Sequence, residues 1–224
     1  MKIIFVAGTD TAVGKTVVAG ALASALRLRG FRTAVMKPVS CGGAEDAVFL
    51  QNCAGTDEPM DLVNPIALKA PLSPNVAAAR EKKKIDLKAI DRAARYFKDK
   101  PYEYLVVEGC GGLLVPIAGR TRVIDLIPRL GAECVLVSRS GLGAINHSLL
   151  SLEALKTRKI RPLGVVFNRV TAGPFSIPEQ TNPGVIARES GIKSLGMFPF
   201  IKLDCRTDCL GKAFLKHIDF KKFL

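Results

Sequence analysis

The chain has 224 residues, 48% of them hydrophobic and 24% charged, with a formal net charge of +13. Residues 1–224 suit a single α/β domain large enough to bury a full sheet, and no stretch reaches the ~18 uninterrupted apolar residues of a membrane span or opens with a signal-peptide pattern, so a cytoplasmic protein with no membrane partner is expected. The basic residues are dispersed apart from Arg80-Glu81-Lys82-Lys83-Lys84 and few aromatics accompany them, a pattern that fits solubility or an anionic small substrate and speaks against nucleic acid.

Lys2 to Ala7 is an apolar, β-branched run of strand length, and Val17 to Leu28 is an Ala- and Leu-rich run of helix length. Between them stands Gly8-Thr9-Asp10-Thr11-Ala12-Val13-Gly14-Lys15-Thr16, a strand-to-helix loop that reads as a phosphate cradle. Backbone N–H groups at the helix N-terminus hold phosphate oxygens, Lys15 neutralises them, and the Thr16 hydroxyl ligates Mg²⁺. The spacing is a variant: counted back from Gly14, the first glycine of the usual pattern falls on Thr9, and Gly8 comes one place early.

Phe31 to Met36 is a second strand ending at Lys37-Pro38. Ser40-Cys41-Gly42-Gly43 reads as loop, Ala44 to Cys53 as a short helix with Glu45 and Asp46 in its first turn, and the proline-rich stretch from Val63 to Pro74 as irregular. Helices are predicted from Asn75 to Lys83 and from Asp86 to Lys98. Tyr104 to Val107 is a third strand, running into Glu108-Gly109-Cys110-Gly111-Gly112. Val123 to Leu130 is helix-like, Cys134 to Val137 is a strand ending at Ser138, and a long helix runs from Ala144 to Lys159. Leu163 to Phe167 is a strand ending at Asn168, followed by a helix within Pro178–Ser190, a short strand Leu195–Phe198 and a basic helical tail from Ala213 to Leu224. The six cysteines have no disulfide framework, so reduced thiols are expected, and Cys205 and Cys209 lack the second pair that zinc would need.

Strands alternating with helices predict an α/β fold, a three-layer parallel sheet with helices on both faces, of phosphate-loop NTPase type. Ligands bind beyond the carboxyl ends of such strands, where this chain gathers the cradle, Lys37, Glu108, Ser138 and Asn168. Thr16, Asp46 and Glu108 are the hard oxygen donors that Mg²⁺ on ATP takes. Lys15 and Lys37 converging there would neutralise the γ-phosphate and a second anion beside it. A carboxylate-like acceptor, and with it ATP-driven amide or urea formation, is the reaction class this fits. Plainer readings stay open: a helix-start charge for Asp46, a loop carboxylate for Glu108, a surface lysine for Lys37, and a packing role for His147. An ATP-driven switch of the partitioning or membrane-targeting kind is the alternative function, although Asp10 and Thr11 stand where such switches usually carry a second lysine.

The chain resembles the dethiobiotin synthetases, the ATP-dependent cyclo-ligases of biotin synthesis. The resemblance rests on Gly8-Thr9-Asp10-Thr11-Ala12-Val13-Gly14-Lys15-Thr16, Lys37-Pro38-Val39, Asn64-Pro65 with Ala70-Pro71-Leu72-Ser73-Pro74, Val107-Glu108-Gly109-Cys110-Gly111-Gly112 with Val115-Pro116, and Gly143-Ala144-Ile145-Asn146-His147. It implies 7,8-diaminononanoate and CO₂ as substrates, with Lys37 as the active-site lysine, assisted by Lys15 and Thr11 at a carbamate. Thr16, Asp46 and Glu108 are then the Mg²⁺ ligands. ATP is implied to contact Ala12, Val13, Gly14, Lys15, Thr16 and Val17, the Glu108-Gly109-Cys110-Gly111 turn, Asn168 and Arg169, and Pro199, Phe200 and Ile201. Cys41, or Ser40 beside it, stands where the family usually has Ser or Thr against the diamine. Gly143, Ala144, Ile145 and Asn146 would receive the substrate carboxylate from the other subunit, so a homodimer is implied. The family's nucleotide-contacting acid after Ile201 has no clear counterpart.

Overall fold

The structure is a computed structural model that describes residues 1–202 and 206–224; Cys205, and with it any pairing to Cys209, lies outside the described residues. In chain order the elements are β1 (Lys2–Gly8), α1 (Lys15–Leu28), β2 (Thr33–Met36), β3 (Val39–Cys41), α2 (Glu45–Ala54), α3 (Met60–Val63), β4 (Ile66–Leu68), α4 (Pro74–Arg80), α5 (Leu87–Lys98), β5 (Tyr104–Glu108), β6 (Pro116–Ala118), β7 (Thr121–Arg122), α6 (Leu126–Leu130), β8 (Glu133–Arg139), α7 (Ala144–Thr157), β9 (Val165–Asn168), α8 (Ile177–Ser190), β10 (Ser194–Phe198) and α9 (Thr207–His217).

Six strands make one all-parallel sheet in the order β10-β9-β8-β1-β5-β2, with helices on both faces. The chain leaves β1 for the edge at β2, returns through β5, then crosses β1 to β8 and moves outward. The strand order therefore reverses at β1, and the loop after it opens onto the crevice that such a reversal leaves. β1 pairs β5 through Ile4↔Val106 and β8 through Val6↔Val135, and Ile4 to Ala7 are fully buried. Burial on both faces is why these strands read as continuous apolar runs with no alternation.

Helix α1 is buried from Val18 to Leu26, between the sheet, α2 and α9, which explains its small, apolar residues on every side. A Cβ on Gly211 would lie 2.5 Å from Ser24 Oγ, so glycine lets α9 close onto α1. The contact is completed by Ser24 Oγ donating to Thr207 O at 2.9 Å and by an Arg27–Asp208 ion pair.

Three local departures from the sequence reading have physical causes. Val39–Cys41 and Ile66–Leu68 form a small parallel ladder where loop and irregular chain were expected. Asn64 makes it: its Nδ2 donates to Lys37 O (2.6 Å) and Ile66 O (3.3 Å), and its Oδ1 accepts from Ser40 Oγ (2.7 Å). A hairpin, β6 with β7, fills a stretch given no element. The final helix spans Thr207–His217 and stops there, because Ile218 bridges Gly196 and Asp219 N donates to Leu195 O; a 3₁₀ turn, Phe220–Phe223, then packs Phe220 and Phe223 edge-on against Phe214.

Candidate active site

The cradle is shaped by two glycines and one strained residue. Gly14 has φ +90°, and a Cβ there would lie 2.0 Å from Asn168 Nδ2, so only glycine lets β9 approach the loop. Asn168 Nδ2 in turn donates to Val13 O at 3.0 Å. Gly8 faces the Lys15 side chain, whose Cδ would be 2.7 Å from a Cβ. That space lets Lys15 fold back and donate from Nζ to Asp10 O at 2.7 Å, which accounts for the early glycine. Ala12 holds φ +56°, a left-handed conformation costing an L-residue about 1–2 kcal/mol.

Lys37 leaves the end of β2 and Glu108 the end of β5; they are 4% and 1% exposed. Lys37 Nζ is 2.7 Å from Glu108 Oε1 and 2.9 Å from Asp46 Oδ2 at the start of α2. Thr16 Oγ1, in the first turn of α1, donates to the same Glu108 oxygen at 2.8 Å. The ladder behind Lys37 fixes its backbone: Lys37 N donates to Val63 O at 2.7 Å while Lys37 O accepts from Asn64.

The electrostatics follow from this burial. Desolvation would lower the Lys37 amine, but Glu108 and Asp46 outweigh it and hold it above the usual lysine value. Lys15 is lowered, by burial first, with Glu108 raising and Lys37 lowering it further. Burial pushes the Glu108 carboxyl up against the pull of Lys37. The thiols of Cys41 and Cys110 are both raised by burial, Cys110 to about 11, so neither is a thiolate nucleophile at neutral pH.

The donor set fits Mg²⁺. Thr16, Asp46 and Glu108 offer hard oxygens, and Glu108 Oε2 is buried without a hydrogen-bond partner among the described residues. No cluster of three or more His, Cys, Asp or Glu is gathered among the described residues.

A cleft of about 910 Å³ lies over these groups, the size of a nucleotide-and-substrate site. Of the residues expected there, Thr11, Ala12, Gly14, Lys15, Thr16, Val17, Lys37, Cys41, Asp46, Glu108, Cys110, Gly111, Asn168, Arg169, Pro199, Phe200 and Ile201 line it, as does Ser40. Val13 and Gly109 stand behind the wall. Val13 is buried, and Gly109 spends its N–H on Val6 O and abuts Phe5. Gly143, Ala144, Ile145 and Asn146 lie apart from this cleft, at the start of α7, where Gly143 (φ +87°) precedes the first turn.

The lining also includes Glu45, Phe49, Pro71, Leu72, Ser73, Pro74, Val115 and Val170, which the sequence reading did not assign to the site. Phe49 follows Asp46 by three residues and so shares its helix face, a signal that was there to use. The Pro71–Pro74 strap is held by Glu81, whose Oε1 accepts from Lys69 N (2.6 Å) and Ala70 N (3.0 Å).

Residues 2–203 match the family described as AAA domain. The ATP-dependent dethiobiotin synthetase BioD of Methanocaldococcus jannaschii is 45% identical over 172 residues, covering 75% of this chain and 80% of that protein. The protein of the same name from Thermodesulfovibrio yellowstonii is 35% identical over 235 residues, covering 98% of this chain and 97% of that protein. Among solved structures, the MinD cell division protein of Aquifex aeolicus has a TM-score of 0.59 at 17% identity, over 96% of this chain and 89% of that one. Chloroplast FtsY from Physcomitrella patens has 0.57 at 15%, over 95% and 64%. At those identities the structural likeness speaks for the phosphate-loop fold alone, whereas the sequence relatives are far nearer. The chain belongs to the AAA-domain family and, within it, to the ATP-dependent dethiobiotin synthetases.

Proposed function

We propose that the protein is a Mg²⁺- and ATP-dependent carbon–nitrogen cyclo-ligase that converts 7,8-diaminononanoate and CO₂ to dethiobiotin. One amine of the diamine attacks CO₂ and loses a proton, giving a carbamate. A carbamate oxygen attacks the γ-phosphorus of ATP, and the bond to ADP breaks. The second amine then attacks the carbonyl carbon of the resulting carbamoyl phosphate, phosphate leaves with the C–O electron pair, and a proton is released as the ureido ring closes.

The observation that carries this reading is the pair of buried lysines, Lys15 and Lys37, around one buried carboxylate, Glu108. A phosphoryl acceptor that is itself anionic needs two cations in water-poor surroundings, one for each anion, and electrostatic stabilisation of that kind is the main protein contribution to phosphoryl transfer. Because Glu108 and Asp46 keep Lys37 protonated, it serves as a fixed positive charge and not as a base. Thr11, on the cleft wall, assists at the carbamate, and Cys41 or Ser40 contacts the diamine. The cradle residues Ala12 to Val17 hold the phosphates, and Asn168, Arg169 and Pro199 to Ile201 bound the base end. Thr16, Asp46 and Glu108 would hold Mg²⁺, which neutralises phosphate charge when bound.

The working unit is a homodimer, in which Gly143 to Asn146 of one subunit complete the neighbour's substrate site. Two features support this: those residues lie apart from their own cleft, and Leu142, Leu150 and Ile177, on and around α7 and α8, are exposed. The protein acts in the cytoplasm, where Cys41, Cys110, Cys134 and Cys209 stay reduced.

Replacement Lys37→Ala is the test. Product formation is expected to fall at least ~10²-fold, by analogy with removal of one charge-stabilising group, while binding of a non-hydrolysable ATP analogue changes little. Turnover near that of the parent would remove Lys37 from the chemistry.

A further inference from the structure

Beside Lys37 with Glu108, a second ion pair in the protein is buried on both sides: Arg169 with Glu179, whose side chains are 9% and 7% exposed. A buried pair is weak evidence for stability, since desolvation can cost as much as the attraction returns, so what it positions matters more. Glu179 Oε1 accepts from Arg169 Nε at 2.7 Å and Ser140 Oγ at 3.1 Å. Its Oε2 accepts from Ser176 N at 2.8 Å and Ser176 Oγ at 2.9 Å. One carboxylate in the first turn of α8 thus joins the chain beyond β8 to the chain beyond β9. Asn182, one turn along, reinforces the first arm by donating from Nδ2 to Ser140 O (3.1 Å) and Gly141 O (2.8 Å).

One arm leads to the nucleotide end of this subunit's cleft and the other to the loop read above as completing the neighbouring subunit's site. On one, Arg169 Nη2 donates to Gly173 O and Pro174 O and, at 3.4 Å, to Glu179 Oε2, the guanidinium stacks over Phe175 at 4.3 Å, and the Arg169 backbone N–H donates to Phe198 O. Nε and Nη2 of the guanidinium are thereby held by the protein, and Arg169, on the cleft wall, acts as a brace between Asn168, which holds the cradle, and Pro199. On the other arm, Ser140-Gly141 fixes the take-off of Gly143 to Asn146.

Resting on the reading of those loops given above, we propose that Glu179 is a positioning residue that couples the nucleotide end of one subunit's site to the loop serving the substrate's carboxylate end in the neighbouring subunit, setting affinity at both. None of its contacts reaches Lys15, Lys37 or Glu108, so it acts on binding and leaves the phosphoryl step alone.

The experiment compares full-length parent and Glu179→Gln, which keeps the shape and removes the charge. It measures the Kd of a non-hydrolysable ATP analogue with Mg²⁺ by calorimetry, KM for ATP and for the diamine, kcat, and Tm. The expected result is a ~5- to 10-fold weaker analogue Kd, the size of one ordinary net hydrogen bond, with both KM values raised, kcat within about twofold, and partial recovery in Glu179→Asp. Parent-like Kd and KM values accompanied by a lower Tm would overturn the proposal and leave the pair a structural one. Should Glu179→Gln fail to fold, Asn182→Ala cuts one arm: a raised diamine KM accompanied by a weaker analogue Kd supports the coupling, and an unchanged analogue Kd or an unchanged diamine KM overturns it. The calorimetric arm reads Glu179 even if the parent shows no diamine-dependent turnover, so failure of the ligase reading is separately visible.

Discussion

Lys15 reaches the Asp10 carbonyl because Gly8 has no side chain, and Lys37 reaches Glu108 and Asp46 because three strand and helix ends meet there. Both lysines and Glu108 could be placed from sequence, since motif residues at the end of an apolar strand have one direction in which to point. Asn168 was legible as a strand-end residue but its contact was not: the amide binds Val13 O, a bond between residues 155 apart that no local pattern encodes. Glu108 is expected to govern the metal. In Glu108→Gln the half-saturating Mg²⁺ concentration for turnover should rise ~10-fold or more, in line with the loss of a group that binds or orients a metal. A Mg²⁺ titration superimposable on the parent's would exclude Glu108 as a ligand.

At the scale of elements, the long helices and central strands follow from composition and period, whereas the β3–β4 ladder does not. Three-residue strands are too short for periodicity to register, and this ladder depends on side-chain bonds from Asn64 that stand in for a longer backbone pairing. Its role is to seat Lys37. Asn64→Asp replaces two donated bonds by a carboxylate facing two carbonyl oxygens, and leaving such groups unpaired costs about 2 kcal/mol. For a protein of this size that lowers Tm by ~4–8 °C. With the Lys37 backbone unseated, kcat should fall while affinity for an ATP analogue is kept. Parent-like Tm and kcat together would contradict the assignment. The C-terminal tail shows the opposite error: helical propensity continues past His217, but pairing of Ile218 with Gly196 and burial of Phe220 and Phe223 end the helix there.

For the whole molecule, strand–helix alternation was enough to give sheet direction and ligand edge, because parallel sheets with crossover helices leave one such edge. Assembly was out of reach of local pattern, since the exposed apolar residues on α7 and α8 have no periodic signature of their own. Acid stability is a global property with a local origin in the Arg169–Glu179 pair. Arg169, with help from Ser176 and Ser140, holds the Glu179 carboxyl at about 2, whereas the unfolded chain would titrate near ~4.3. A depressed carboxyl stabilises the fold above the unfolded value and stops doing so as pH falls through the folded one. Its contribution should thus be complete above pH ~4.3 and fade towards pH ~2. Glu58, Glu81 and Asp86 are also lowered, and they remain in both proteins under comparison. In denaturant melts across that window, Glu179→Gln should lose stability less steeply than the parent, and equal slopes would show that the pair is not linked to acid unfolding.

The proposed chemistry turns on an anionic acceptor meeting the γ-phosphate between Lys15 and Lys37. The direct measurement is phosphate release from Mg-ATP with and without 7,8-diaminononanoate and bicarbonate. Release that requires both, in step with dethiobiotin appearing one for one, is the predicted result; release at the same rate without the diamine would contradict it.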